Sequence, residues 1–552
     1  MVYELSRLGE THPLVSWDGS GDFDGEYDDG RADLQTSPAV RIDRGRDGER
    51  AFGRPKAALA TWRYRNQDRL YSAQNTASPL RGLLLPGRPC QIYKTIGDEL
   101  ATMDSTVVTM DDPEALMGGL DEVPLFTGVT DVPRELYGPG PRRRWLDMQA
   151  IGNLTRLQGV EITIALQTNI TSGALMVLVF EAAGLTSAEY VVDASAISNG
   201  RIFAFYWVDG RDAFEVAIEV WRSEGPTAYL GEDGRGRIVF EGAEYRALTA
   251  RSQTVQQTFT VTDVTRDSAL MDSPDVAMDD SRVAMDGTSA SVSFVGLEYL
   301  SGLKQIVNDV GFEIDQRAAQ STQQVWEYSG AITLAASESR TIIARVNDPL
   351  VAITTPALTT DYTIGAGSLT SVTATQLGPL AVSITLVAGG SGATVNPPAG
   401  GVGLRLRAQP LTLVATLVAR PTVDTSASQA LYGVRSLPAD VKPWRGLRYD
   451  DGVGVADAWA LAYRDDRPAV LLTIVNTSGR LLREELTRDV SDLIHVVDAN
   501  ESGLDLDLSI ESIVHEIAGD WFHKVTFRCE KRIEQDWGLW DVARWDVDLW
   551  GQ

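Results

Sequence analysis

Punctuation limits this chain more than any other feature. Short apolar and β-branched runs recur along its length, and Gly, Pro or Asp closes nearly every one of them. Fifty glycines and 23 prolines divide 552 residues. Runs of that kind suit strands joined by turns. The longest apolar stretch, about 173–185, carries Glu181 and falls short of the roughly 20 residues a membrane helix needs. No stable membrane insertion is expected. At roughly 150 residues per domain, a chain of this length divides into three to four units. The Lys plus Arg count is 49 against 76 acids, a net charge of −27, which argues against a broad basic face for nucleic acid. Only six of the cations are lysines: Lys56, Lys94, Lys304, Lys442, Lys524 and Lys531. The two cysteines, Cys90 and Cys529, make neither a disulfide framework nor a zinc cluster. The opening MVYELSRLGE lacks the basic and apolar regions of a secretory signal.

The pattern changes along the chain. Residues 1–145 hold an acidic loop at 17–29 and strands near 83–93 and 124–132. GPGPRRRW (138–145) reads as a hinge, since two prolines and two glycines continue no regular element. Residues 146–250 read as α+β. Val160, Ile162, Ile164 and Leu166 alternate with polar or small residues as a half-buried strand; GALMVLVFEAAGL is a buried helix. Over 212–223, Asp212 caps a helix with Glu215 three residues on, and Phe214, Ile218 and Trp221 share a face. A hairpin turning at Asp233-Gly234 follows. Residues 251–306 read as a linker, and 307–440 as a β-sandwich of Thr- and Val-rich strands. Residues 441–533 combine a helix near 453–463 with strands, and 534–552 form a Trp/Asp-rich tail. Met103, Met110 and Met117 recur at intervals of seven, as do Met271, Met278 and Met285, mostly followed by Asp. Pro113 and Pro274 interrupt any coiled coil, so extended turn-rich segments are expected.

Chemical motifs are weak. His515-Glu516 begins like a zinc-protease helix, but position 519 is Gly where a second His must stand. His523 falls on the inward face of a strand and reads as a core histidine. GEDGRGR (231–237) has glycines without the strand-to-helix setting of a phosphate loop. Acid pairs such as Asp28/Asp29 and Asp465/Asp466 read as solvated turns. A glycosidase would need two carboxyls about 5 or 6.5–9.5 Å apart across a cleft, which spacing along the chain does not show. The loop from Asp18 has Phe23 where a calcium loop requires Gly. No catalytic, cofactor or metal residue is assigned. Trp537, Trp540, Trp545 and Trp550 are the candidate contact residues: four indoles so close together need cover, from the chain itself or from a neighbouring protein.

Arg44-Gly45-Arg46, then Asn66 and Asp68 before Tyr71, Asn75, Ser78-Pro79, and Pro86-Gly87-Arg88-Pro89 follow one another in order. These pieces resemble the minor tail proteins of the tail-hub family in long-tailed phages of actinobacterial hosts. Phe126-Thr127-Gly128, the helix at 212–223 with its hairpin, Ser428 with Tyr432-Gly433 and Arg435, and the segments 486–497 and 508–517 extend the likeness in order. The acidic loop, the Met-Asp blocks and the Trp tail are not shared. The resemblance implies a mainly β fold with two tube-like β-barrel hub domains flanking an α+β domain and a β-sandwich. It implies a homotrimer at the tail tip, without enzymatic activity or cofactor. Its partners would be the tail tube or distal tail protein, the tape measure protein and other minor tail proteins. Genomic DNA would pass the lumen without specific binding, which acidic walls favour. The alternatives are a glycan-active or cell-wall-degrading tail enzyme and a carbohydrate-binding adhesin using the β-rich stretch 290–440.

Overall fold

The computed structural model describes residues 10–46, 53–96, 121–131, 133–137, 144–243, 246, 255–260, 292–300, 306–438, 442–467, 469–476, 479–498, 503–519 and 522–532. Both Met-Asp blocks, the hinge prolines Pro139 and Pro141, and Trp537, Trp540, Trp545 and Trp550 lie outside the described residues. The described residues are mainly β, 50% strand and 16% helix.

The N-terminal module supplies β1 (Thr11–Val15), β2 (Val40–Gly45), β3 (Leu59–Arg65), β4 (Pro89–Ile96), β5 (Asp121–Thr130), β6 (Arg134–Tyr137) and β7 (Arg144–Gly152). The middle module runs β8 (Glu161–Thr171), α1 (Ser172–Ala182), β9 (Tyr190–Val192), α2 (Ala194–Asn199), β10 (Ile202–Asp212), α3 (Ala213–Glu224), β11 (Tyr229–Glu232) and β12 (Ile238–Glu241). Asp212 caps α3 by accepting from the amides of Phe214 at 3.0 Å and Glu215 at 3.1 Å. Ile218 and Trp221 are buried as expected. Val216, Ala217 and Val220 are buried too, so α3 is enclosed more widely than one stripe. Three short strands follow within 251–306: β13 (Gln257–Thr260), β14 (Val292–Ser293) and β15 (Gly296–Leu300). That stretch is thus partly built into the fold rather than only a linker.

The insertion holds β16 (Phe312–Ala319), β17 (Gln323–Glu327), β18 (Ile332–Leu334), β19 (Ser339–Arg345), β20 (Leu350–Thr354), β21 (Thr363–Gly378), β22 (Ala381–Asn396) and β23 (Arg405–Ala419). They form two four-stranded sheets, one around β23 and one around β22. Val382, Ile384 and Leu386 from one sheet share a core with Leu350, Leu406 and Ala408 from the other. This is a sandwich. The chain then returns through α4 (Ser426–Tyr432) and α5 (Tyr449–Tyr463). It finishes with β24 (Ala469–Val475), α6 (Gly479–Thr487), β25 (Leu493–Asp498), β26 (Leu504–Ala518) and β27 (Phe522–Lys531). Val455, Trp459 and Tyr463 of α5 pack with Phe180, Phe203 and Trp221, inside the middle core.

The two terminal modules are joined by a shared sheet. Their strands run in one 14-stranded sheet whose path is β1-β4-β5-β7-β3-β2-β26-β25-β13-β14. The reason is that β2 has two partners, β3 on one edge and β26 on the other. No sheet closes on itself among the described residues.

Candidate functional site: the junction of the terminal modules

The inward face of β2 changes character along its length. Val40 and Ile42 lie in the N-terminal core, and Arg44 and Arg46 follow on the same face, both buried. Between them Gly45 adopts φ 109°, a conformation L side chains avoid. A Cβ there would stand 2.5 Å from the carbonyl oxygen of Glu511 and 2.6 Å from the Cα of Ser512. Gly45 therefore lets β2 cross β26 in close contact.

The facing strand is irregular at that point. In β26, Leu504, Leu508 and Ile510 face inward at even numbers; Ile513, His515 and Ile517 do so at odd numbers. A bulge between Ile510 and Ser512 produces the change of parity. It turns Glu511 into the junction, where Arg246 holds its carboxylate with hydrogen bonds of 2.8 and 3.2 Å. The Nε of Arg46 lies 3.5 Å from the same carboxylate. Arg46 also donates to the carbonyls of Pro226, at 3.2 Å, and Ala228, and stacks 5.6 Å over the Trp221 ring. Beside this pair, Arg467 approaches Glu530 at 3.5 Å and the Tyr463 hydroxyl donates to Glu530 at 3.3 Å. On the other side, Arg44 pairs with Asp489 at 3.2 Å.

Arg46 and Glu511 are 3% and 5% exposed, so this network is shielded from water. Burial alone would raise the Glu511 carboxyl. The charges of Arg246 and Arg46 outweigh it and hold the group below its ordinary range. Glu530 goes the other way, raised by burial and by the neighbouring Glu511 charge despite Arg467. The network joins three parts of the chain: Arg46 from the first module, Arg246 and the 226–228 turn from the middle, and Glu511 from the last.

A second buried polar group lies further along β26. His515 Nδ1 and His523 Nε2 are 3.0 Å apart, so one donates to the other. His523 Nδ1 lies 3.3 Å from Glu485 on α6. Burial, with Lys94 nearby and Arg44 beside His515, holds both imidazoles well below the ordinary histidine range. Burial pushes the Glu485 carboxyl up to about 9. The backbone of His523 exchanges hydrogen bonds with Asn476 at 2.8 and 3.0 Å. Helix α6 stitches the modules together: Leu482 and Leu486 enter the N-terminal core, and Leu481 the C-terminal one.

The other singled-out residues are used locally. His515-Glu516 lies on a strand rather than a helix. The 231–237 glycines form a tight hairpin turn; a Cβ on Gly234 would meet the Pro124 carbonyl oxygen at 2.1 Å, so the turn abuts β5 instead of cradling a phosphate. In the acidic loop, Asp18 accepts from Ser16 and Ser20, and Asp28 from the amides of Trp17 and Gly25. No group of three His, Cys, Asp or Glu among the described residues is placed to hold a metal. Nor is any helix among them long and apolar enough to cross a membrane.

No family model and no curated protein matches the sequence. Among solved structures, the chain is similar to the tail protein from Neisseria meningitidis MC58, at 10% identity and a TM-score of 0.40, covering 95% of this chain and 96% of that one. It is similar to the 43 kDa tail protein of prophage MuSo2 from Shewanella oneidensis, at 11% identity and 0.41, covering 94% and 98%. A third is a prophage tail protein from Listeria monocytogenes EGD-e, at 8% identity and 0.37, covering 94% of each chain. Likeness at these values is one of approximate layout and carries no argument about function.

Proposed function

We propose that this chain is a structural virion protein: a tail-tip hub that closes the distal end of a siphophage tail tube, docks other minor tail proteins, and serves host attachment and DNA delivery. One observation carries the reading. Arg44-Gly45-Arg46, the first piece of the hub resemblance, is the crossing point of the terminal modules, and each of its three residues has a physical task there. A buried ionic junction is a poor catalyst but a specific joint, because only one register satisfies its charges.

On this reading residues 1–145 and 441–533 are two tube-like β modules held side by side. Three chains would present six such modules to a six-fold tube, by the matching of rotational symmetry. The tube or distal tail protein and the tape measure protein are the neighbours. A net charge of −27 keeps passing DNA from adhering. No bond is made or broken by the chain's side chains. Trp537, Trp540, Trp545 and Trp550 are contact residues.

Imaging of purified particles together with a solution mass tests this. The expected result is a three-fold ring at three times the chain mass, located at the tail tip. A monomer that releases reducing sugar or muropeptides from host envelope would overturn it.

A further inference from the structure

The hub reading leaves two features without a stated partner. One is a groove of about 450 Å³ between the start of β16, the end of β23 and the return segments 436–438 and 442–445. Phe312, Leu437 and Pro443 give it an apolar floor, and Arg420, Lys442 and Arg445 a cationic rim. Val418 on its wall is 49% exposed, and Leu431 and Val434, just before the return segment, are 73% and 66% exposed. An apolar side chain as exposed as Val418 on the wall of a concave site marks a docking surface. Among the described residues the rim arginines pair with surface carboxylates, Asp309 at 3.9 Å and Glu313 at 2.7 Å. Exposed pairs of that kind contribute little and exchange readily.

The other feature is the segment 533–552. It carries Trp537, Trp540, Trp545 and Trp550 among five acids, Glu534, Asp536, Asp541, Asp546 and Asp548, with Arg544 the one cation. Its chemistry is the complement of the groove: indoles for an apolar floor and for stacking under guanidinium groups, carboxylates for a cationic rim.

The chain also leaves the described part near this place. The Lys531 carbonyl accepts from Arg467 at 2.8 Å, and the Arg467 guanidinium lies 5.3 Å from the Tyr463 ring. The Tyr463 carbonyl accepts from the Val307 amide at 2.7 Å. Asp309, two residues on, lines the groove. Twenty residues reach up to about 66 Å when extended, well beyond this separation of a few side chains.

We propose that residues 533–552 fold back onto their own chain and seat their tryptophans in this groove, with their carboxylates on Arg420, Lys442 and Arg445. A tether this short gives an effective concentration in the millimolar range, which favours the chain's own groove over a neighbour's. The proposal does not rest on the hub reading.

Carbodiimide cross-linking of the full chain tests it, since that reagent joins only groups in direct contact. An equal mixture of light and heavy-isotope chains is used. Lys442 is expected to link to Asp536, Asp541, Asp546 or Asp548, in same-isotope pairs, and Lys442→Arg to abolish the link. Mixed-isotope pairs would show exchange between copies and overturn the proposal. The second measurement is limited proteolysis of the full chain. Arg420→Glu with Arg445→Glu should speed cleavage within 533–552 about fivefold, the change expected from losing two exposed charge contacts. No Lys442 link together with unchanged cleavage would overturn it as well. A monomeric chain showing the link would uphold this docking while the hub reading failed.

Discussion

Removing one charge at the junction should separate a specific joint from a general adhesive surface. Glu511→Gln keeps the side chain's size and leaves Arg46 and Arg246 buried around a neutral amide. Arg246 makes two hydrogen bonds to Glu511, at 2.8 and 3.2 Å, and Arg46 stands at 3.5 Å. Breaking a buried pair on one side costs about 3–5 kcal/mol. Glu530 remains nearby and interacts with Arg46 and Arg467, so the lower end, about 3 kcal/mol, is expected. For a cooperative unit of this size that corresponds to a fall of roughly 6–12 °C in the transition containing the terminal sheet. The pH dependence gives an internal check. Glu511 is held below its ordinary 4.5, so its stabilisation is fully present above that value and is lost as pH falls through the depressed one. The gap between wild type and variant should therefore narrow below about pH 4.5. Urea unfolding at several pH values measures the gap, and amide exchange in β2 and β26 locates it. A gap under about 0.5 kcal/mol at neutral pH, or one that widens on acidification, would refute the reasoning.

Gly45→Ala should prevent stable folding or cost more than about 4 kcal/mol, because the new Cβ meets backbone at 2.5 Å and φ is positive; a soluble variant with a normal melting curve would contradict this. Asp212→Ala removes the α3 cap and should cost about 1 kcal/mol in urea titration, with faster amide exchange at Phe214 and Glu215. Burial raises the Glu232 carboxyl to about 7, so its contribution is present below 4.5 and lost as pH rises through about 7. Glu232→Gln should flatten the decline in stability across that window, and an unchanged slope would count against it. Arg317 on β16 lies 5.8 Å over Phe205 and 5.3 Å over Trp207 while bonding Asp348 and the Leu411 carbonyl. Arg317→Met should loosen the sandwich from β10 by about 1–2 kcal/mol, read as faster exchange across 203–211; unaltered exchange would argue against the staple.

Local order was legible wherever one period held. The cap at Asp212, the buried face of 453–463 and the alternation at 504–510 all followed from spacing that a single helix or strand imposes. The junction followed a weaker signal. The inward parity of β26 switches between Ile510 and Ile513, and such a switch marks a bulge, but only the partner strand reveals what the bulge turns inward. Gly45 was visible as part of a motif, yet its necessity depends on a backbone 466 positions away in sequence. In sequence His515 opens an incomplete zinc motif and His523 reads as core. Their mutual contact was hidden because they lie on neighbouring strands, opposite Ile517 and Val525 rather than opposite each other. The placement of α5 in the middle core was likewise beyond periodicity, which shows that a face is buried but not against what.

The ladder from Val40–Ile517 to Gly45–Ser512 has a consequence for how the molecule is built. The N-terminal core takes Leu482, Leu486 and Ile517 from the far end, so residues 10–152 by themselves expose the surface those side chains cover. The sandwich has a core of its own and can form earlier, from local contacts, while the middle core also takes Val455, Trp459 and Tyr463 from α5. They stand as insertions within a body whose two halves meet last. Contacts of such long sequence separation carry the largest loop-closure cost and form slowly. That explains why the closing contact is ionic as well as apolar. An apolar edge waiting for a late partner would pair with any exposed strand, whereas Arg44, Arg46 and Arg246 accept only a strand that brings acids at the right register. In an assembly built from several β-rich chains, a joint of this kind protects β2 from the wrong neighbour until β26 arrives.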